Sequence, residues 1–426
     1  MDQVETVTKN QVSPLRGNLV FGGGDAERAL TQFIRAAFPF DDDTVAAPTL
    51  DADQWNAVAQ IAWANNLTPL LYAAILQNED TGAPAALVET LQTAYHQVKI
   101  ANWVAFREVG ELLTIFEREK IETVLLKGAA LAKTVYPAIA MRPMGDVDVL
   151  FRDDDVAHAR AILIARGFTP GLEPSENFQT RFACEQAFTR AGKYPMMFEV
   201  HWHLFNLPYY RARIPIEWFW QRTLPMRVND QPARAFAPEA QIIHLAAHAA
   251  LHHQGHNLLA AYDLALTLAR YRDQINWDDV IQAARAFVLS RIVQANLARV
   301  RETWGVAAPA QVETRLARAA GLGERVLFAI NTSSRVEARD LWDGMNLPDA
   351  KSRMRFFLGI LFPSRDYMRK RYGIVDQQGL TWSYAQRLGR GAQMFARSVM
   401  AMAGNVVKVA GRRLYIVNGW CDSRFE

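Results

Sequence analysis

The chain has 426 residues, half of them hydrophobic and 21% charged, with a mean hydropathy of −0.08 and a formal net charge of +3. That is ample for a sizeable core in two or three domains, and no charge-free apolar run is long enough to span a bilayer. Cys184 and Cys421 form no CxxC, zinc ribbon or disulfide framework, and the polar start Met1–Pro14 lacks the basic and apolar parts of a signal peptide, so a reducing cytoplasm is expected. The charge is uneven: Lys351 to Glu426 holds 14 Lys/Arg against 4 Asp/Glu, on a body with 33 basic and 40 acidic residues. Such a tail reads as a solvated basic face, or as one turned to an anionic surface.

The first part of the chain carries helical periodicity. Ala26–Phe38, Asp51–Leu76 and a long stretch from Pro84 to about Lys120, through Leu91, Tyr95, Val98, Trp103, Val109, Leu112 and Phe116, repeat apolar residues at three- and four-residue spacing. The pattern then changes. Val124-Leu125-Leu126 reads as a short buried strand, Gly128–Tyr136 as a helix stopped by Pro137, and Val147, Val149 and Phe151 alternate with Asp146 and Asp148 at a period of two. Asp153-Asp154-Asp155 starts a helix that runs to Arg166 and ends at Gly167. Met196–Leu204 alternates again, with Phe198, Val200, Trp202 and Leu204 on one side and Met197, Glu199, His201 and His203 on the other. From Pro238 the pattern returns to helices: Pro238–His253, Leu258–Tyr271, Asn276–Phe287 with Asn276 as cap, and more to about Leu341. The expected fold is α+β, a small mixed β-sheet core flanked by helical N- and C-terminal regions. The expected boundaries are 1–120 helical, 121–237 the α/β core, 238–345 a helical substrate-side domain and 346–426 a basic C-terminal segment.

Residues i and i+2 of a strand share a face, so Asp146 and Asp148 project together. Two bare carboxylates about 5 Å apart repel by about 3 kcal/mol at an effective dielectric of about 20, and a cation offsets this. Mg²⁺ (or Mn²⁺) suits carboxylate and phosphate oxygens, and a two-ion site needs a third acid, for which Glu199 is the best placed. Gly128 lets backbone approach a phosphate at a helix start, Lys127 adds a point charge, and Arg142, four residues before Asp146, is placed to reach the same phosphates. There is no GxxxxGK[ST], no GxGxxG after a strand and no GxSxG, so a P-loop, a dinucleotide fold and a serine hydrolase are not supported.

His244, His248 and His252 recur every four residues, with His253 and His256 close by. They read chiefly as a polar helix face, with His248 and Asp263 lining a substrate pocket beside His201; the alternative is a transition-metal site. His201 reads equally as a core histidine or as a group that orients Glu199 and accepts protons, and Trp202 as core. The basic, apolar stretch Lys351–Pro363 reads as a packed helix with a basic rim, with peripheral membrane contact as its alternative.

The combination of a Lys-Gly strand end, R-P-M-G-D-V-D-V-L, a helix ending in Arg-Gly-Phe and F-E-V-H-W-H-L, over about Val124–Leu204, resembles the DNA polymerase beta-like nucleotidyltransferase superfamily. Within it, the chain looks like the uncharacterised bacterial nucleotidyltransferases that carry L-K-G, R-x-x-G-D-x-D and E-x-H-W, with a looser likeness through H-L-A-A-H and Y-D-L. The resemblance implies that Asp146, Asp148 and Glu199 are catalytic metal ligands. It also implies that Lys127 and Gly128 stand where many members have Gly-Ser, so that Lys127 and backbone amides replace the serine. It further implies transfer of a nucleoside monophosphate from a triphosphate such as ATP to a small-molecule, saccharide or peptide acceptor. Nucleic acid is not expected as a partner, and the rival reading is a non-catalytic binding or regulatory module of the same fold.

Overall fold

In the computed structural model the described residues are 23–40, 45–78, 81–175, 178–252, 257–331, 344–374, 379–391 and 393. They fall into two compact units, one within Met1–Val98 and the other within Lys99–Glu426, and the division lies inside a single long helix. Cys421, His253, His256 and the start Met1–Pro14 lie outside the described residues.

The first unit contains helices α1 (Gly23–Ala37), α2 (Ala52–Ala64), α3 (Thr68–Gln77) and the opening of α4 (Ala85–Arg118). Asp51 caps α2 through a reciprocal capping box with Gln54. The expected single stretch Asp51–Leu76 is two helices. The chain turns at Asn65–Leu67, where Asn66 takes a φ of 57°, and Pro69 sits in the first turn of α3. Left-handed backbone cannot continue a right-handed helix, and asparagine tolerates it better than most residues.

The second unit is built on a seven-stranded mixed sheet. Its strands are β1 (Thr123–Leu125), β2 (Val147–Phe151), β3 (Thr169–Pro170), β4 (Glu185–Arg190), β5 (Met196–His201), β6 (Thr223–Val228) and β7 (Gln231–Phe236), in the order β3-β4-β5-β2-β1-β7-β6. β2 pairs with β5, and β1 with β7, in parallel; the other pairs are antiparallel. Helices α5 (Lys127–Thr134) and α6 (Val156–Ala165) follow β1 and β2. The β6–β7 hairpin turns on Asn229 and Asp230, both with positive φ, as a tight hairpin turn requires. One face of the sheet is apolar: Val147, Val149 and Phe151 of β2 and Met196, Phe198 and Val200 of β5 bury against Phe106, Val109, Leu113 and Phe116 of α4 and Val156, Ala159 and Leu163 of α6. Strand alternation therefore sends Asp148, Glu199 and His201 to the other face.

Beyond the sheet the chain is helical: α10 (Pro238–His252), α11 (Leu258–Arg270), α12 (Trp277–Ala286), α13 (Ser290–Trp304), α14 (Ala310–Ala319) and α15 (Leu322–Asn331), after the short α7 (Phe178–Phe182), α8 (Pro208–Arg211) and α9 (Ile216–Trp220). Asn276 caps α12. The helix Ala350–Leu361 packs Phe356 against Phe178 and Phe182, while Met354 and Leu358 are exposed. No helix among the described residues is long and apolar enough to cross a membrane.

Candidate functional site

Register brings the acidic residues together. β2 and β5 pair with Asp148 opposite Glu199 and Leu150 opposite His201; β4 and β5 pair with Glu185 opposite His201. Directly paired residues share a face, so Asp148, Glu199, His201 and Glu185 form one polar patch on a sheet whose other face is core. Asp146 lies just before β2 rather than within it, half-buried, two residues from Asp148.

Asp148 is the centre of the patch, with only 2% of its side chain exposed. Its Oδ1 accepts hydrogen bonds from Lys127 Nζ at 2.7 Å and from His201 Nε2 at 2.9 Å. Burial pushes its carboxyl up, but the Lys127 ammonium and the His201 bond outweigh it and hold the carboxyl well below the usual range. Burial likewise pushes Lys127 down, and Asp148, with Glu185 and Glu199, more than reverses this. Asp146 and Glu199 are shifted the other way: burial and then the charge of Asp148 raise Asp146, and burial outweighs the His201 bond at Glu199.

His201 lies between two sets of donors. Its Nε2 is 3.5 Å from Glu199 Oε2 as well as bonded to Asp148, and its Nδ1 is 3.2 Å from Glu185 Oε2. Among the described residues, the donor groups close enough to hold one ion are Asp148–Glu199–His201 and Cys184–Glu185–His201. The histidines of α10 form no such group. Their rings neighbour one another, His244 to His248 at 6.2 Å and His248 stacked on His252 at 4.6 Å, and burial holds His244 well below the ordinary histidine range. His203 points into the fold, donating from Nε2 to the Ile214 carbonyl at 3.0 Å, and burial brings it down to about 4. Trp202 is core.

Arg142 and Asp263 meet each other. Arg142 Nε and Nη2 donate to the two oxygens of Asp263 at 2.8 Å each, and the Tyr136 hydroxyl donates to Oδ1 at 2.7 Å. Asp263 is thus a buried counter-ion at α11 for the loop that leads to Asp146. Asn102 holds the same loop by donating to the carbonyls of Ile139 and Arg142. Gly128 is buried beside this loop. A Cβ there would stand 3.1 Å from Met144 Cγ and 3.5 Å from Arg142 Nη1, so its missing side chain lets the loop pack on α5.

Glu185, Tyr136 and Asn102 were not anticipated from the sequence. Glu185 carries one weak signal, a place on an alternating strand next to a cysteine; Tyr136 and Asn102 carry none, because their partners come from the tertiary fold.

No curated protein matches the chain. Among solved structures, an antigenic nucleotidyltransferase-like protein from Paracoccidioides brasiliensis aligns over 50% of this chain and 91% of its own, at 14% identity and a TM-score of 0.32, too slight a likeness to build on. The family model described as "Uncharacterised nucleotidyltransferase" matches residues 51–305, more than half of the chain. That span takes in β1, β2 and β5 with every acidic residue described above, and the chain belongs to this uncharacterised nucleotidyltransferase family.

Proposed function

We propose that this protein transfers a nucleoside monophosphate from a nucleoside triphosphate to an acceptor hydroxyl or similar nucleophile, with a divalent cation, Mg²⁺ by preference, held by Asp146, Asp148 and Glu199. The observation that carries the reading is the β2–β5 register. It sets Asp148 beside Glu199 on the sheet face turned away from the core, with Asp146 in the loop just before β2.

Asp148 and Glu199 lie within reach of one ion together with His201, while Asp146 stands outside that group and joins it in this reading through the loop before β2. Asp148 is kept ionised, and the carboxylate of Asp146 accepts no hydrogen bond among the described residues, so its oxygens are free to coordinate. When bound, the ion neutralises phosphate oxygens and the charge that builds on the departing pyrophosphate. The protein's own groups do the rest. Asp146 and Asp148 hold the ion, Glu199 completes its carboxylates and takes the acceptor's proton, and the Lys127 ammonium, bonded to Asp148, supplies positive charge toward the donor's phosphates. The bond from the acceptor oxygen to the α-phosphorus forms as the α–β phosphoanhydride breaks. The helices of 238–345 belong to the same compact unit as the 121–237 core, and His248 is assigned to the acceptor side.

A second reading, a module that keeps the fold without turnover, is favoured by one observation. Both cations assigned to phosphate are already engaged inside the protein, Lys127 by Asp148 and Arg142 by Asp263. Calorimetry with Mg²⁺ and each of the four common triphosphates, together with release of pyrophosphate, tests the pair. Binding and turnover that vanish in Asp146→Asn and Asp148→Asn support the transferase. Turnover that survives both substitutions rules out the site, and a failure to bind any triphosphate favours the module.

A further inference from the structure

We infer that the protein itself holds one divalent ion rather than two, and that the Lys127 ammonium occupies the place of the second cation. This rests on the metal-site reading above. A carboxylate that bridges two ions offers one oxygen to each. In this chain Oδ1 of Asp148 is already occupied twice, by Lys127 Nζ at 2.7 Å and by His201 Nε2 at 2.9 Å. His201 is buried and Lys127 mostly so, their side chains 3% and 16% exposed, so neither is a loose surface contact. Oδ2 takes part in no hydrogen bond among the described residues. One oxygen of the central carboxylate is committed to nitrogen donors, and one is left for an ion.

Lys127 is held to this position by its backbone. The preceding N–H, that of Leu126, donates to the Asp148 carbonyl at 3.0 Å, which ties the end of β1 to the same residue whose side chain Lys127 meets. Lys127 then takes a φ of 44°, left-handed backbone in a residue that is not glycine. Such a conformation persists only where its surroundings fix it, and it concentrates at functional positions. Here that backbone starts the side chain toward the acidic patch, where the ammonium bonds Asp148 and Glu185 and Glu199 act on it as charges. A second divalent ion on the protein would have to sit against this ammonium or displace it. A lysine in place of an ion also delivers its charge without depending on the metal supply, and unlike an ion it cannot leave with product.

The test counts ions on the full-length chain without nucleotide. Mn²⁺ is titrated at neutral pH, free Mn²⁺ is read by electron paramagnetic resonance, and heats are read by calorimetry. The expected result is one ion per wild-type chain, lost in Asp146→Asn, and two per chain in Lys127→Met, whose folding is checked by circular dichroism. Two ions on the wild type, or one on Lys127→Met, overturn the inference while leaving the metal site intact. No ion on the wild type overturns the metal-site reading itself, and the inference with it. Should Lys127→Met fail to fold, the Lys127 ammonium signal in a ¹⁵N-lysine spectrum of the wild type decides. A signal still protected at saturating Mg²⁺ supports the lysine and ion side by side, and a signal that moves to the free-lysine position overturns it.

Discussion

Asp263→Asn is the substitution to which the second unit should respond most sharply. In the native chain Asp263 accepts three hydrogen bonds, two from Arg142 at 2.8 Å and one from Tyr136 at 2.7 Å, with Arg142 and Asp263 only 13% and 3% exposed at their side chains. Asparagine keeps the shape and one acceptor oxygen but removes the charge, leaving the Arg142 guanidinium buried without its counter-ion. Breaking a buried pair from one side costs about 3–5 kcal/mol. With a urea slope of about 3 kcal/mol/M, that moves the unfolding midpoint down by about 1–1.7 M. Tryptophan fluorescence during urea titration measures it. Tyr136→Phe is the scale bar: it removes one donor and leaves the ion pair whole, for a loss of about 1 kcal/mol. The apolar double replacement Asp263→Leu with Arg142→Met should recover most of the loss, because the desolvation cost of both charges goes with them. An Asp263→Asn loss below about 1 kcal/mol would refute the reasoning. It would mean that the guanidinium finds another partner, and Asp146, whose charge already acts on Arg142, is the nearest candidate.

Three further outcomes follow from other parts of the fold. Asp51→Ala removes the capping box of α2 and should cost about 1 kcal/mol, read as a lower urea midpoint; an unchanged midpoint would mean that water replaces the cap without loss. Trp304→Ala empties a fully buried site against Tyr262, whose ring centre is 4.7 Å away, and should cost about 3–5 kcal/mol in the same titration, less only if the surrounding helices collapse into the space. Glu108 sits between Arg190 and Arg166; burial pushes its carboxyl up, but bonds from Arg190 at 2.7 and 2.9 Å and from Arg166 at 3.1 Å outweigh it and hold it below the ordinary value. A depressed acid stabilises above its unfolded pKa and loses that stability as the pH falls through its folded value, so wild type should exceed Glu108→Gln in Tm at pH 6–7 and converge with it in acid; a gap that stays constant down to about pH 3 would contradict this.

The sequence told the sheet from the helices where its periods were clean. Val124-Leu125-Leu126, the Asp-x-Asp alternation and Met196–Leu204 became β1, β2 and β5, because buried strands with one polar face leave a two-residue rhythm that few substitutions disguise. The break between α2 and α3 has weak local marks: an asparagine in left-handed backbone has no obligatory signature, and Pro69, the second residue of α3, is the one usable sign. The β6–β7 hairpin left one local sign, Asn229-Asp230 at its turn, because Pro225 and the Gln-Pro-Ala-Arg run of β7 do not read as strands. For the candidate site, residue types and spacing singled out Asp146, Asp148, Glu199, Lys127 and His201. What spacing does not carry is partnership. Spacing points Lys127 toward a phosphate; the fold adds a partner that spacing does not encode, Asp148. Arg142 and Asp263 were assigned to different ligands, yet they bind each other across 121 residues of chain. A side chain's nearest opposite charge is decided by topology, and no local pattern encodes it.

The parallel pairing of β2 with β5 also has a kinetic meaning. The two strands are joined through α6, β3, α7 and β4, so the residues that meet at Asp148 and His201 are 53 apart in sequence, and a long loop must close before they touch. A chain that has formed its helices but not this pairing has no carboxylate cluster at all. Growth of a lanthanide luminescence signal during refolding should therefore lag behind the recovery of helical ellipticity. On the proposed metal site, the acidic patch would act as a clock for the last long-range step of folding, closed to an ion until β2 and β5 pair.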